Sequence, residues 1–276
     1  MLKTRIITAL ALAGLGVLLL SVAPAFSSLG FAVIILFCAW EWSRLLQGEK
    51  WVTPVFVGLV AILLASLLYM QQADSSYQSV TIYWALTSGS AFWGIVLLWI
   101  ISYPASAVIW GNKRAQFVLG LFVLGTAFVA LIYLRYLEDS EWFFVYLLFI
   151  VAGTDVGAYF FGKTFGKRKL AVKVSPGKTW EGFFGGILLM SLLTILLVTQ
   201  FGIPGLSLIQ ALVLAWLTAS VSVLGDLFES MLKRQAGVKD SSQLLPGHGG
   251  FLDRFDSVLA ALPVYALGLV SILGTS

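Results

Sequence analysis

Long apolar runs broken by short polar ones make up nearly all of the chain. A helix rising 1.5 Å per residue needs roughly 20 residues to cross about 30 Å of hydrocarbon. Nine runs meet or approach that length: residues 6–22, 26–46, 51–70, 82–101, 117–137, 142–162, 183–201, 208–228 and 251–273. They cannot be lipid-exposed strands, because unpaired backbone groups are too costly in hydrocarbon. The pattern predicts an all-α integral membrane protein with about nine transmembrane helices. Polar breaks are short in residues 1–140, which form an N-terminal set of helices. In residues 141–276 they widen into two loops, 163–182 and 233–250. No internal repeat or low-complexity tail interrupts the series.

Composition agrees: 59% of residues are hydrophobic and 11% charged, against about 25% charged in soluble domains. One core could not hide so much apolar surface. Charge then orients the spans. With the N-terminus in the cytoplasm and strict alternation, the cytoplasmic segments hold every lysine and arginine except Arg135, out of 17. Such asymmetry is the mark of positive-inside topology, and it places the C-terminus outside, on the periplasmic face. A competing expectation concerns Ala23-Pro24-Ala25, which ends the first run after Lys3 and Arg5 and resembles a signal-peptide cleavage site, although proline there disfavours processing. The single cysteine, Cys38, lies in an apolar run and reads as a small buried hydrophobe.

Against this background the stretch from Ser230 to Asp256 stands out. It carries Lys233, Arg234, Lys239, Asp240, the only histidine, His248, and Asp253, Arg254 and Asp256. Upstream, Asp226, Glu229, Ser230 and Lys233 recur at steps of three and four and share one helix face. Asp253 and Asp256, three apart, point the same way. Asp226 closes one span and Asp253 opens the next, so antiparallel neighbours put both at similar depth. Two such carboxylates repel unless a cation lies between them, and all-oxygen donors suit a hard ion such as Mg²⁺. The alternative is a structural network in which Lys233 and Arg254 pair with these acids. Gly249 and Gly250 allow backbone to approach a ligand. His248 reads either as a loop residue or as a phosphate contact.

A second polar group precedes it. Asp155 lies inside the cytoplasmic half of a span, where a carboxylate faces a polar cavity or bonds a neighbouring helix. Gly153 and Gly157 present a small-residue face for close helix approach. Lys163, Lys167, Arg168, Lys169 and Lys173 read as topology-setting charge. Ser175-Pro176-Gly177-Lys178-Thr179-Trp180-Glu181 suggests a phosphate-binding loop, yet the P-loop pattern needs glycine at position 172, which is Val172. What remains is Ser175, Lys178 and Thr179 at a turn before a helix N-terminus, a site suited to phosphate. Glu181 reads as a helix-start carboxylate or a metal or water ligand. Carboxylates for a metal, ringed by lysine and arginine at a membrane face, suit nucleotide phosphate chemistry.

The residues from Ser230 to Asp256, including Leu232-Lys233-Arg234, Lys239-Asp240, Ser242, Leu245-Pro246, His248-Gly249-Gly250-Phe251 and Asp253-Arg254-Phe255-Asp256, resemble without a gap the signature of the phosphatidate cytidylyltransferases (CDP-diacylglycerol synthases). Asp155-x-x-Ala158-Tyr159 and Ser175-Pro176-x-Lys178-Thr179-x-Glu181-Gly182 resemble the family's other polar motifs. Gly177 departs from it, since many members carry a second lysine there. The detailed match covers residues 153–257; the first five spans match in hydropathy alone. The resemblance implies transfer of CMP from CTP to phosphatidic acid, giving CDP-diacylglycerol and pyrophosphate in phospholipid synthesis. It also implies Mg²⁺ held at Asp226 and Asp253, a second cation such as K⁺, a homodimer, and a cavity open to bilayer and cytoplasm. Asp155 and Glu181 are expected to help hold the second cation. Lys178, Lys233, Arg234 and Arg254 are expected to neutralise phosphate, with Asp256 beside them and Ser175, Thr179, Lys239, Asp240, His248, Gly249 and Gly250 as substrate contacts. The expected location is the inner or plasma membrane, with substrates drawn from nucleotide and lipid and no nucleic acid.

Three rival classes fit the sequence less well. A CDP-alcohol phosphatidyltransferase would need an Asp-Gly, Ala-Arg and later-aspartate motif that is missing. A CTP-dependent lipid alcohol kinase would release CDP. A transporter would show broken helices in paired halves, whereas the polar groups here gather in the second half.

Overall fold

The computed structural model describes residues 11, 14–71, 75–245 and 249–274, with residues 75–79 described as backbone only. Among them, eight helices are long and apolar enough to cross a membrane, which makes this a multi-pass membrane protein. They are α1 (Pro24–Leu45), α2 (Val52–Met70), α3 (Ser75–Ile101), α4 (Lys113–Arg135), α5 (Ser140–Phe165), α6 (Trp180–Gln200), α7 (Leu208–Gln235) and α8 (Leu252–Leu273). Of the first expected span, residues 11 and 14–21 are helical and residue 22 is a bend; residues 6–10 and 12–13 lie outside the described residues. Helix α3 begins ahead of its expected start, because serine, tyrosine and glutamine lower hydropathy without breaking a helix.

The expected loop 163–182 is largely ordered. Strands β1 (Lys169–Ala171) and β2 (Ser175–Thr179) pair as an antiparallel hairpin, Lys169 opposite Thr179 and Ala171 opposite Ser175. The turn expected at Ser175–Thr179 is instead a strand running straight into α6. Its end is capped, since the Thr179 hydroxyl accepts the Gly182 N–H at 3.1 Å.

Helix α4 is the central post, packing on α1, α2, α3 and α8. Helix α2 buries only Phe56, Val60 and Leu64, spaced by one turn, and shows its remaining apolar surface outward, as a lipid-facing helix must. Helices α5 and α6 form the most intimate pair. A Cβ on Gly157 would lie 2.7 Å from the Gly185 carbonyl, and one on Gly186 would lie 2.6 Å from the Thr154 carbonyl. The small-residue face read at Gly153 and Gly157 is thus met by a matching face on α6.

The rotation of α7 is set by aromatic packing. Phe228 is surrounded by Trp42, Phe92, Trp93 and Trp99, with ring centroids 6.1, 6.0, 5.9 and 6.5 Å away. With that face buried, the polar face of α7 turns to the opposite side. At one end of the bundle, Gln47 donates to the Ala236 carbonyl and Lys113 donates to the Gln47 carbonyl at 2.6 Å. At the other end Arg135 is 6% exposed. It donates to Ser27 and Ser140 at 2.8 Å each and to the Leu20 and Val22 carbonyls at 3.1 and 2.7 Å. The one cation that departs from the charge asymmetry is a fully bonded tie between chain segments, as a buried guanidinium must be.

Candidate active site

Two cavities meet inside the second half of the chain. One, of about 300 Å³, is lined by Asp155, Asp226, Glu229, Lys233, Asp240, Asp253, Arg254 and Asp256, with Val151 and Ser257. The other, of about 400 Å³, is lined by Tyr159, Lys163, Lys178 and Thr179 among others, and again by Asp155 and Asp226. Those two aspartates form the shared wall.

The expected helix faces are realised. On α7, Ser230 donates to Asp226 at 3.4 Å and Lys233 donates to Glu229 at 2.5 Å. On α8, Asp253 and Asp256 both line the smaller cavity. The ammonium of Lys233 also donates to Asp253 at 2.6 Å, tying α7 to α8. From the hairpin, Lys178 pairs with Asp226 at 2.5 Å. Strand β2 therefore delivers its lysine to the wall where the cavities join. Asp155 lies within electrostatic reach of Lys178, Asp226 and Arg254.

Asp253 is crowded with donors. Besides Lys233, it accepts the Gly250 N–H at 2.8 Å and the Ser241 N–H at 3.0 Å, and shares the single Ser241 hydroxyl proton, 3.0 Å away, with Glu41. Asp226 is freer, with Lys178 on one oxygen and a long bond from Ser230 on the other. The Glu229 Oε1 atom is buried and has no hydrogen-bond partner.

Several expected residues serve other ends. Glu181 accepts the backbone N–H groups of Lys167 and Arg168 at 3.1–3.2 Å, closing the hairpin base instead of lining either cavity. Arg234 donates to the Val174 carbonyl at 3.4 Å, bracing the hairpin turn. Thr179 borders the larger cavity with its hydroxyl engaged as the α6 cap. Ser175 is held in the hairpin ladder opposite Ala171. Lys239 is exposed on the turn beyond α7 and is not among the residues lining either cavity. His248 lies outside the described residues. Gly249 and Gly250 do bring backbone close to carboxylates, but to the protein's own: a Cβ on Gly249 would sit 2.8 Å from Asp253, and one on Gly250 would collide with Ser241 and Glu41.

Glu41 is the residue that sequence reading missed. It lies on α1, is 0% exposed, and accepts hydrogen bonds from Ser242, Phe251 and Leu252, and shares the Ser241 hydroxyl proton with Asp253, all in the loop and helix start that lead to Asp253. A lone glutamate inside an apolar run was the available signal, but one near the end of a span is equally an interfacial charge.

Comparison with known proteins decides the family. Residues 3–272 match the model of the cytidylyltransferase family. The chain belongs to that family. Relatives named phosphatidate cytidylyltransferase include the Pseudomonas aeruginosa protein, 40% identical over 270 residues and 96% of both chains. The Haemophilus influenzae protein is 36% identical over 282 residues, covering 96% of this chain and 98% of its own. The Bacillus subtilis protein is 35% identical over 223 residues, covering 80% and 81%. Membership extends through the first five spans, which matched in hydropathy alone, and makes the chain a nucleotidyltransferase of the membrane.

Proposed function

We propose that the protein transfers CMP from CTP to phosphatidic acid, giving CDP-diacylglycerol and pyrophosphate. A lipid phosphate oxygen attacks the α-phosphorus of CTP. A P–O–P linkage forms to the lipid, the bond between the α-phosphorus and its bridging oxygen breaks, and pyrophosphate leaves with that oxygen. The observation that carries this reading is the wall of Asp155 and Asp226 shared by two cavities, each with its own cations. The reaction must bring two anions together, and a divided pocket with Lys163 and Lys178 on one side and Lys233 and Arg254 on the other suits that task.

The nucleophile is already ionised at neutral pH, so no strong general base is required. Catalysis then rests on positioning and charge neutralisation. Lys178 would neutralise phosphate at the wall. Lys233, fixed between Glu229 and Asp253, presents its charge at a set point.

The donor set fits a hard divalent cation: every carboxylate lining the smaller cavity offers oxygen, and Glu229 Oε1 is buried without a partner. Among the described residues no three such groups converge as a ready-made metal cluster. Mg²⁺ would be held by Asp226 with Asp253, and Asp155 would help to hold a second cation such as K⁺; Glu181 is bonded elsewhere. When bound, the metal would neutralise and polarise the CTP phosphates. The reading includes a homodimer in the inner or plasma membrane, with both cavities open to the cytoplasm.

The deciding experiment supplies purified protein with labelled CTP, phosphatidic acid and Mg²⁺. CDP-diacylglycerol and pyrophosphate are the expected products. Release of CDP with a phosphorylated lipid would identify a kinase and overturn the assignment.

A further inference from the structure

Helix α8 begins without a cap of its own: no side chain bonds across its N-cap at Phe251. The first N–H groups of a helix need acceptors, and a buried helix start leaves no water to provide them. Glu41 supplies them from α1, on the far side of the sequence. Its two oxygens accept the Phe251 N–H at 3.0 Å and the Leu252 N–H at 2.6 Å. The same oxygens accept the Ser241 hydroxyl at 2.9 Å and the Ser242 hydroxyl at 2.5 Å.

This arrangement satisfies a buried carboxylate without a lysine or arginine. No ion pair to Glu41 occurs among the described residues. Three donors, a share of the Ser241 hydroxyl proton and the positive end of the α8 dipole offset the cost of removing its charge from water. An acceptor held by four groups on two oxygens, one of them the shared Ser241 hydroxyl, fixes the geometry of the loop at both ends, residues 241–242 and 251–252.

The clamp is one bond from the cavity. The Ser241 hydroxyl that contacts Glu41 also contacts Asp253 at 3.0 Å, and the Ser241 N–H reaches the same Asp253 oxygen at 3.0 Å. Asp253 in turn holds Lys233 at 2.6 Å. Gly250 leaves no room for a side chain between Ser241 and Glu41, so the closeness of the two carboxylate nests is built into the backbone.

We infer that Glu41 is a positioning residue for the nucleotidyl transfer, setting the register of α8 and, through Ser241, the placement of Asp253 and Lys233. This rests on the function proposed above. Glutamine is nearly isosteric, but its amide nitrogen cannot accept a backbone N–H. The Ser241 or Ser242 hydroxyl can turn to accept it; Phe251 or Leu252 cannot, and the start of α8 must shift.

The test compares wild type, Glu41→Gln and Ser241→Ala in purified form, with thermal midpoint, kcat, and KM for CTP measured on each. Wild-type activity with CTP and phosphatidic acid is the control for the proposed function; its absence would defeat that reading and leave the clamp to be judged on stability alone. With the control active, Glu41→Gln is expected to lose about 100-fold in kcat, the scale of a small misplacement of reacting groups, with KM for CTP within about threefold. Ser241→Ala, which cuts the link between the two carboxylates, is expected to lose about tenfold in kcat at a nearly unchanged midpoint. A kcat equal to wild type in folded Glu41→Gln overturns the inference. So does a loss no larger than the fall in folded protein. If Glu41→Gln does not fold, Ser241→Ala decides alone, and a wild-type kcat there is fatal to the proposal.

Discussion

Lys178, on the short strand β2, meets Asp226, on the membrane helix α7, at 2.5 Å. The pair joins the hairpin to the wall between the two cavities. Its two side chains are 25% and 34% exposed, so the contact remains reachable by an incoming phosphate. An ammonium that spends its charge on Asp226 in the resting protein is ready to turn to a more highly charged oxyanion.

Removal of that ammonium is the first expectation. Lys178→Ala should lower kcat/KM by about 10²–10³, the loss seen when one preorganised charge donor is deleted. Radiolabelled CDP-diacylglycerol formation measures it, and an unaltered rate would remove Lys178 from the site. The same assay on Asp226→Asn should give no turnover with the helices intact by circular dichroism.

Lys233 sits between two carboxylates, with side-chain exposures of 12% for Lys233, 4% for Glu229 and 8% for Asp253. Breaking a buried pair strands the remaining charge, at about 3–5 kcal/mol. Lys233→Met should therefore lose thermal stability as well as activity. The double variant Lys233→Met, Glu229→Gln should recover part of the midpoint but no turnover. A Lys233→Met midpoint equal to wild type in a thermal-shift assay would contradict the burial argument.

The glycines divide sharply by surroundings. Gly157→Val should disrupt the α5–α6 contact, because even a Cβ would meet the Gly185 carbonyl at 2.7 Å. Loss of folded, extractable protein is the readout. Gly177, in contrast, has nothing within 4 Å of an added Cβ. Gly177→Lys should fold and keep activity, which also tests whether a second lysine in this motif matters. Activity far below wild type would mean that the open side of the hairpin is occupied during turnover.

Chelation provides a further check. EDTA should abolish CDP-diacylglycerol formation, and Mg²⁺ should restore it. Added Mg²⁺ should not restore turnover to Asp226→Asn, whereas Lys239→Ala should titrate like wild type. Activity that persists in excess chelator would remove the metal from the proposed reaction.

Much of this could be read locally. A span is declared by its own run of apolar residues, and Asp226, Glu229, Ser230 and Lys233 share a face because helical spacing alone requires it. The small-residue face of Gly153 and Gly157 on α5 is equally local. Arg135 was legible as an exception, but its five-way bonding was not.

What the sequence determined by itself was the membrane class, the polar ends of the spans, the family resemblance and the set of charged side chains from which the site is drawn. Tertiary structure alone decided which of them meet. Lys178 reaches Asp226 because an unforeseen hairpin aims it. Glu181 and Arg234 turn to backbone groups of that hairpin. Glu41 meets Ser241 across 200 residues of chain. The physical reason is range: periodicity and capping act over a few residues, whereas the partner of a buried carboxylate is chosen by packing. Phe228 among its four aromatic neighbours sets the rotation of α7, and the α8 N-terminus that Glu41 caps exists only once α1 and α8 lie side by side.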